Sequence, residues 1–217
     1  MIAFFDNLIG DDFVLSRSGL SDCFTLLFDL IKSNPQVKVV FKPKDGDLGN
    51  LKTLGRLTEY KRLEKLGRIF TASGRRKIDY RPSEIGAVAD LVIGFPLSTA
   101  ATECAIVGCR AIHLNLTGLR GHPWDTEFEG VVMFHNVSKM RSAINDFLSG
   151  NNDSLGLCGT LDRDVNFYSD FKARERMSLY ISLLCEYNGN KVEDRIVYAN
   201  KGFLASSLSN VNSITLL

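Results

Sequence analysis

Asp90-Leu91-Val92-Ile93-Gly94-Phe95-Pro96-Leu97-Ser98-Thr99-Ala100-Ala101-Thr102-Glu103-Cys104-Ala105-Ile106-Val107-Gly108-Cys109-Arg110-Ala111-Ile112-His113-Leu114 is the stretch whose reading decides the fold. Asp90–Ile93 is a short apolar run without polar alternation, as in a strand covered on both faces. Gly94–Leu97 is a Gly/Pro loop. Over Ser98–Val107, residues Ala101, Cys104, Ala105 and Gly108 recur at i, i+3, i+4 and i+7, the spacing of one helix face. Gly108 is the stop signal, and Cys109–Leu114 is apolar again. Strand, helix and strand in such close succession form a βαβ unit, and that crossover makes the two strands parallel.

The alternation continues outward. Ile2–Phe5 reads as a first strand, followed by a polar loop through Gly19. Asp22–Lys32 has helical spacing, with Phe24, Leu27, Phe28 and Ile31 on one stripe, and Asn34-Pro35 ends it. Val37–Phe41 is a buried strand that leaves through Lys42-Pro43-Lys44. Asp45–Asn50 reads as loop, Leu57–Leu66 as helix, Arg68–Thr71 as a short strand and Ser73–Arg81 as a basic loop. A short helix over Ser83–Ala89 follows Pro82. Downstream, Val131–Phe134 is a strand, Val137–Phe147 a helix, Ser149–Asp164 a surface loop and Phe167–Tyr187 a long helix. The fold class is therefore α/β, a Rossmann-like parallel sheet with helices on both faces. The expected organisation is one domain over residues 1–187 and an irregular extension over 188–217.

Charge and composition exclude several classes. Lysine and arginine number 26 against 25 acidic residues, a net +1, without the concentrated basic excess of a nucleic-acid binder. The 5 cysteines contain no Cys-x-x-Cys pair and several sit in apolar segments, which fits free thiols in a reducing compartment. The N-terminus lacks a signal-peptide pattern, and no run approaches the roughly 20 apolar residues of a membrane span. The expectation is a cytoplasmic protein, with peripheral membrane association left open.

Open parallel sheets take ligands at the C-terminal ends of their strands, so the exits Lys42–Lys44 and Gly94–Thr99 are the places to look. Ser98 suits a helix N-cap, and Ser98 or Thr99 can offer a hydroxyl to a phosphate beside unpaired N–H groups. Small Ala100 and Ala101 permit close approach. Glu103 lies one turn further on, within reach of a ribose hydroxyl. The same residues also suit a capped helix that binds nothing. Lys42 and Lys44 flank a stiffening proline and either neutralise a diphosphate or form a solvated strand end. Arg75, Arg76, Lys77 and Arg81 form either a lid over a donor or a solvated loop. His122 and Trp124 either contact a base or sugar, or Trp124 anchors its loop from within. His113, inside an apolar strand, reads as a core histidine. No Walker, GxGxxG, GxSxG or HExxH signature is present.

Taken together these residues resemble the C-terminal half of a GT-B-type glycosyltransferase of bacterial surface-polysaccharide synthesis, from about Ile2 to Leu184. The pieces that carry the likeness are the opening strand with Asp6, the exit Val39-Val40-Phe41-Lys42-Pro43-Lys44, Ala89-Asp90-Leu91-Val92-Ile93, and Ser98 through Ile112. Related turns occur in sugar-nucleotide 2-epimerases and glycerol-phosphate transferases. The resemblance implies donor phosphate binding at Ser98 and Thr99, ribose contact at Glu103, and weaker phosphate contacts at Lys42 and Lys44. It implies a nucleotide-sugar donor, a glycan acceptor, and no cofactor or metal, because the helix end and the cations can stabilise the leaving phosphate. GT-B enzymes carry the acceptor site and base in an N-terminal Rossmann-like domain. The expected partners are therefore such a domain or subunit, or a second copy, and no catalytic residue is named. The alternatives are a non-catalytic partner-binding module and an epimerase-like half.

Overall fold

The computed structural model describes residues 1–7, 16–44, 48–72, 80–95, 98–118, 124, 128–157, 172–189 and 191–211. Two compact units divide the chain, Met1–Val165 and Asn166–Leu217.

The first unit is built on six parallel strands: β1 (Ile2–Phe5), β2 (Val39–Lys42), β3 (Ile69–Thr71), β4 (Leu91–Gly94), β5 (Ala111–Leu114) and β6 (Met133–Phe134). Their order across the sheet is β3-β2-β1-β4-β5-β6. The helices between them are α1 (Arg17–Ser33), α2 (Gly49–Thr53), α3 (Leu57–Lys65), α4 (Pro82–Gly86), α5 (Thr99–Ile106) and α6 (Val137–Leu148). The strands are apolar throughout because both faces are covered. Ile2, Phe4, Val39, Phe41, Leu91, Ile93, Ile112 and Leu114 face one core with α1, α3 and α6. Ala3, Phe5, Val40, Val92 and Ala111 face the other, against Ile85 of α4 and Ala101 and Cys104 of α5. This is the Rossmann-like α/β architecture that the alternation of periods predicts.

The first core is aromatic. Phe41 stacks on Phe4 at 5.6 Å between centroids and meets Phe24 and Tyr60 edge-on at 5.7 Å each. Ring pairs at these distances add to the free energy of area burial.

Three departures from the sequence reading have local causes. Helix α1 begins at Arg17, five residues before the expected Asp22, because Ser16 Oγ accepts from Gly19 N–H at 3.1 Å and caps it. A short helix, α2, occupies part of the expected polar loop, with Leu51 buried in the core. The start of the expected surface loop after Ser149 is anchored rather than exposed. Gly156 O accepts from Ala111 N–H, and Leu155 is fully buried.

The expected boundary after Tyr187 and the irregular extension need correction. The second unit begins at Asn166 and contains α7 (Ala173–Glu186) and α8 (Val192–Val211), so residues 188–217 include a long helix. Val192, Ile196, Ala199 and Phe203 recur at helical spacing, a pattern masked by the Asn and Ser residues around it. Against α7, Tyr180 donates to Asn200 Oδ1 at 2.9 Å, and its ring meets Phe203 edge-on at 5.7 Å.

Phe41→Ala removes a ring with contacts on three sides and is expected to destabilise the first unit by about 3–5 kcal/mol in urea unfolding. Phe70→Ala, on the exposed side of edge strand β3, is expected to stay within about 1 kcal/mol of wild type. Equal losses at the two positions would contradict this assignment of the core.

Candidate functional site

The strand order reverses between β1 and β4, because the chain builds outward from β1 first through β2 and β3, then through β4, β5 and β6. In open parallel sheets the loops at such a point diverge to opposite faces and leave a crevice outside the strand ends. Four polar side chains are buried among the described residues: Asp6 (6% exposed), Ser98 (8%), His113 (0%) and Asn115 (2%). All four lie at this C-terminal edge. Burying a polar group is costly unless its hydrogen bonds are met, so the partners of each group at this edge can be traced.

One register row crosses the edge. Lys42 of β2, Phe5 of β1, Gly94 of β4, His113 of β5 and Met133 of β6 are successive pairing partners. Side chains in one row share a face, here the face on which α5 packs. Gly94 explains how α5 can start there. A Cβ at Gly94 would lie 2.7 Å from the Cβ atoms of both Ala101 and Ser98 and 3.2 Å from His113 Nδ1. The bare backbone lets the first turn of α5 sit directly on the strand end.

The polar groups of that turn can be accounted for one by one. Ser98 is the N-cap, its Oγ accepting a long 3.4 Å bond from Ala101 N–H. Its own N–H donates to His113 Nδ1 at 3.3 Å, which leaves the ring proton of the neutral imidazole on Nε2. Its carbonyl accepts from Thr102 N–H at 3.0 Å and from the Thr102 hydroxyl at 3.2 Å. The N–H groups of Thr99 and Ala100 have no acceptor among the described residues, and Thr99 is exposed. Of the two expected phosphate residues, Ser98 is therefore the buried frame, and Thr99 presents the open groups.

The remaining expected residues separate. Half-buried Lys42 shares the face of α5, whereas Lys44 is exposed and its N–H donates to Asp6 Oδ1 at 2.6 Å. Glu103 is exposed, and its Oε1 accepts from Ser83 N–H at the start of α4, at 3.3 Å. Together with the Cys104 Sγ to Pro82 O bond at 3.1 Å, this ties α4 to α5. Trp124 is 3% exposed, packs with Val132 and Met133, and lies 5.1 Å from the His113 ring. That placement is the loop-anchor alternative, with the indole as the wall behind His113. His122, Arg75, Arg76 and Lys77 lie outside the described residues.

Asp6, His113 and Asn115 are the edge residues that sequence reasoning did not assign to the site. Each stands in or directly after an apolar strand, and a polar residue at the C-terminal end of such a run is the signal that finds them. Asn115 Oδ1 closes a turn by accepting from Thr117 N–H at 3.1 Å and the Thr117 hydroxyl at 2.6 Å.

Burial pushes the Cys104 thiol up to about 12 and raises those of Cys23 and Cys109. These thiols stay protonated at neutral pH and make poor nucleophiles. Among the described residues no three His, Cys, Asp or Glu side chains converge as a metal set would. Two Asp-x-Asp triplets, Asp45-Gly46-Asp47 and Asp162-Arg163-Asp164, are present in the chain but fall outside those residues. No described helix is long and apolar enough to cross a membrane.

No protein-family model, curated protein or solved structure matches this chain. The site therefore rests on its own geometry.

Gly94→Ala is expected to destabilise the first unit by about 1–3 kcal/mol in urea unfolding, since neither the Ala101 nor the Ser98 Cβ can swing away. Gly49→Ala, with open space around the added methyl at the start of α2, is expected to be neutral or to stabilise by about 0.4–1 kcal/mol. A Gly94→Ala protein as stable as wild type would be incompatible with so close a contact between α5 and β4.

Proposed function

We propose that this chain binds the nucleotide-sugar donor of a glycosyl transfer at the C-terminal edge of its sheet, as the donor half of a GT-B-type glycosyltransferase. The observation that carries the reading is the first turn of α5, which starts directly on the end of β4 beside the point where strand order reverses. There α5 offers a hydroxyl and two amides without an acceptor among the described residues, on the same face as Lys42. The donor's phosphates would sit against Thr99 N–H, Ala100 N–H and the Thr99 hydroxyl, favoured by the positive end of α5. Lys42 would neutralise the same phosphates from two strands away, and Lys44 would do so from the loop.

As the bond between sugar and phosphate breaks, negative charge grows on the leaving phosphate. Fixed amides and an ammonium are then more valuable than water, because they need no reorganisation at the moment of reaction. Glu103 would keep Oε1 on Ser83 N–H and offer Oε2 to a ribose hydroxyl. The acceptor and the base that activates it would come from a second domain or subunit.

The test is calorimetry of the chain with UDP-, GDP-, CMP- and ADP-sugars. One of them is expected to bind. Thr99→Val and Lys42→Ala are each expected to weaken it by about tenfold or more, the value of one hydrogen bond to a charged group. Ser98→Ala is expected to act on stability instead, costing about 1 kcal/mol through the lost cap. If no nucleotide-sugar binds, or if neither variant weakens the one that does, the reading is wrong.

A non-catalytic partner-binding role is favoured by a separate observation. On the second unit Met177 and Ile181 of α7 and Val192 and Leu204 of α8 are exposed apolar side chains. Sedimentation of the chain at high concentration tests it, and strictly monomeric behaviour would count against self-association through that surface.

A further inference from the structure

Asp6 is the charged member of the four buried polar residues, and both its oxygens are engaged. Oδ1 accepts from Lys44 N–H at 2.6 Å, and Oδ2 accepts from Asn50 Nδ2 at 2.8 Å. The same Asn50 nitrogen donates to Asn7 O at 2.8 Å. A buried carboxylate is tolerated only when such donors replace its water.

Strand pairing explains why Lys44 supplies one of them. β1 and β2 pair as far as Phe5 and Lys42. Ile2 N–H donates to Lys38 O, whereas Val39 N–H donates to Arg68 O on the other side. Residues 39, 41 and 43 thus turn their amide nitrogens to β3, and the next amide facing β1 after Lys42 is that of Lys44. That amide turns to the Asp6 side chain. Past Lys42 the chain is thus tied to the end of β1 through the Asp6 side chain.

The position of Asp6 also says what it does not touch. Asn50 belongs to α2, and Asp6 contributes, after burial, to raising the Cys23 thiol of α1 and the Tyr60 hydroxyl of α3. Those helices pack on the face opposite α5. Asp6 therefore acts from beneath the sheet edge, on the loop, and not on a ligand lying against α5.

We infer that Asp6 is a positioning residue for donor binding, holding the Lys42–Lys44 exit so that its ammonium groups meet the donor's phosphates. The inference rests on the donor-binding reading above.

The experiment is a double-mutant cycle on the full chain, using the UDP-, GDP-, CMP- or ADP-sugar that binds wild type, across a salt series. Asp6→Asn keeps an acceptor for Lys44 N–H but sets an amide nitrogen against Asn50 Nδ2. It is expected to lower affinity about tenfold and to flatten the salt dependence, as misplaced cations contribute less. In a Lys42→Ala/Lys44→Ala background the same change is expected to have almost no further effect. Equal fold-losses in both backgrounds, with the salt slope unchanged, would mean that Asp6 is only structural and would overturn the inference. Wild-type affinity in Asp6→Asn would overturn it as well, while leaving donor binding intact. Failure of wild type to bind any of the four overturns both. If Asp6→Asn does not fold, Asn50→Ala, which removes one of the two bonds, is expected to show the same coupling at smaller size, and additivity there would be decisive against it.

Discussion

The pairing of β1 with β2 on one side and β4 on the other is the constraint on which the rest of the structure depends. Only four residues long, β1 is buried on both faces, with Ile2 and Phe4 in one core and Ala3 and Phe5 in the other. Because β1 pairs in parallel with both neighbours, every connecting helix must return over a face of the sheet. The chain after β1 crosses one face with α1, and the chain after β4 crosses the other with α5. Strand order reverses between those two crossovers, the place where open parallel sheets form a crevice outside the strand ends.

At that crevice the helix has to come close to the strand without losing its hydrogen bonds. Gly94 solves the first problem by having no side chain in the row shared with Phe5 and His113. His113 and the Ser98 hydroxyl solve the second by accepting the amides of Ser98 and Ala101. What remains is a pair of adjacent amides with nothing to donate to among the described residues. The buried histidine is thus part of the frame of the site. It takes up the Ser98 amide, while those of Thr99 and Ala100 have no acceptor among the described residues.

Charge is distributed by the same logic. Lys42, on the face of the sheet that α5 covers, is the last residue of β2 and so is held by the sheet. Lys44 lies beyond a proline and is held only through its amide on Asp6. A carboxylate at the end of β1 thereby holds the backbone of the loop that carries Lys44. Asn50 completes that arrangement from α2, which explains why a short helix stands where composition suggests loop.

The fold class was legible because period is local: Val92 and Ile93, then Ala101, Cys104 and Ala105, report strand and helix without any distant contact. The start of α1 and the whole of α8 were less legible, since a single cap at Ser16 and a stripe diluted by Asn and Ser carry weak local signals. For the site, the sequence alone determined the residue types at the exits: Ser98 and Thr99 after β4, Lys42 and Lys44 after β2. Only the tertiary structure decided how they divide their roles. Ser98 became frame and Thr99 open surface because His113 and Gly94, distant or silent in sequence, lie in register beside them. Asp6 reached Lys44 because two strands pair, and Trp124 turned inward against His113. Hydrogen bonds between strands join residues that periodicity treats as unrelated, and this register is set by packing the sheet as a whole.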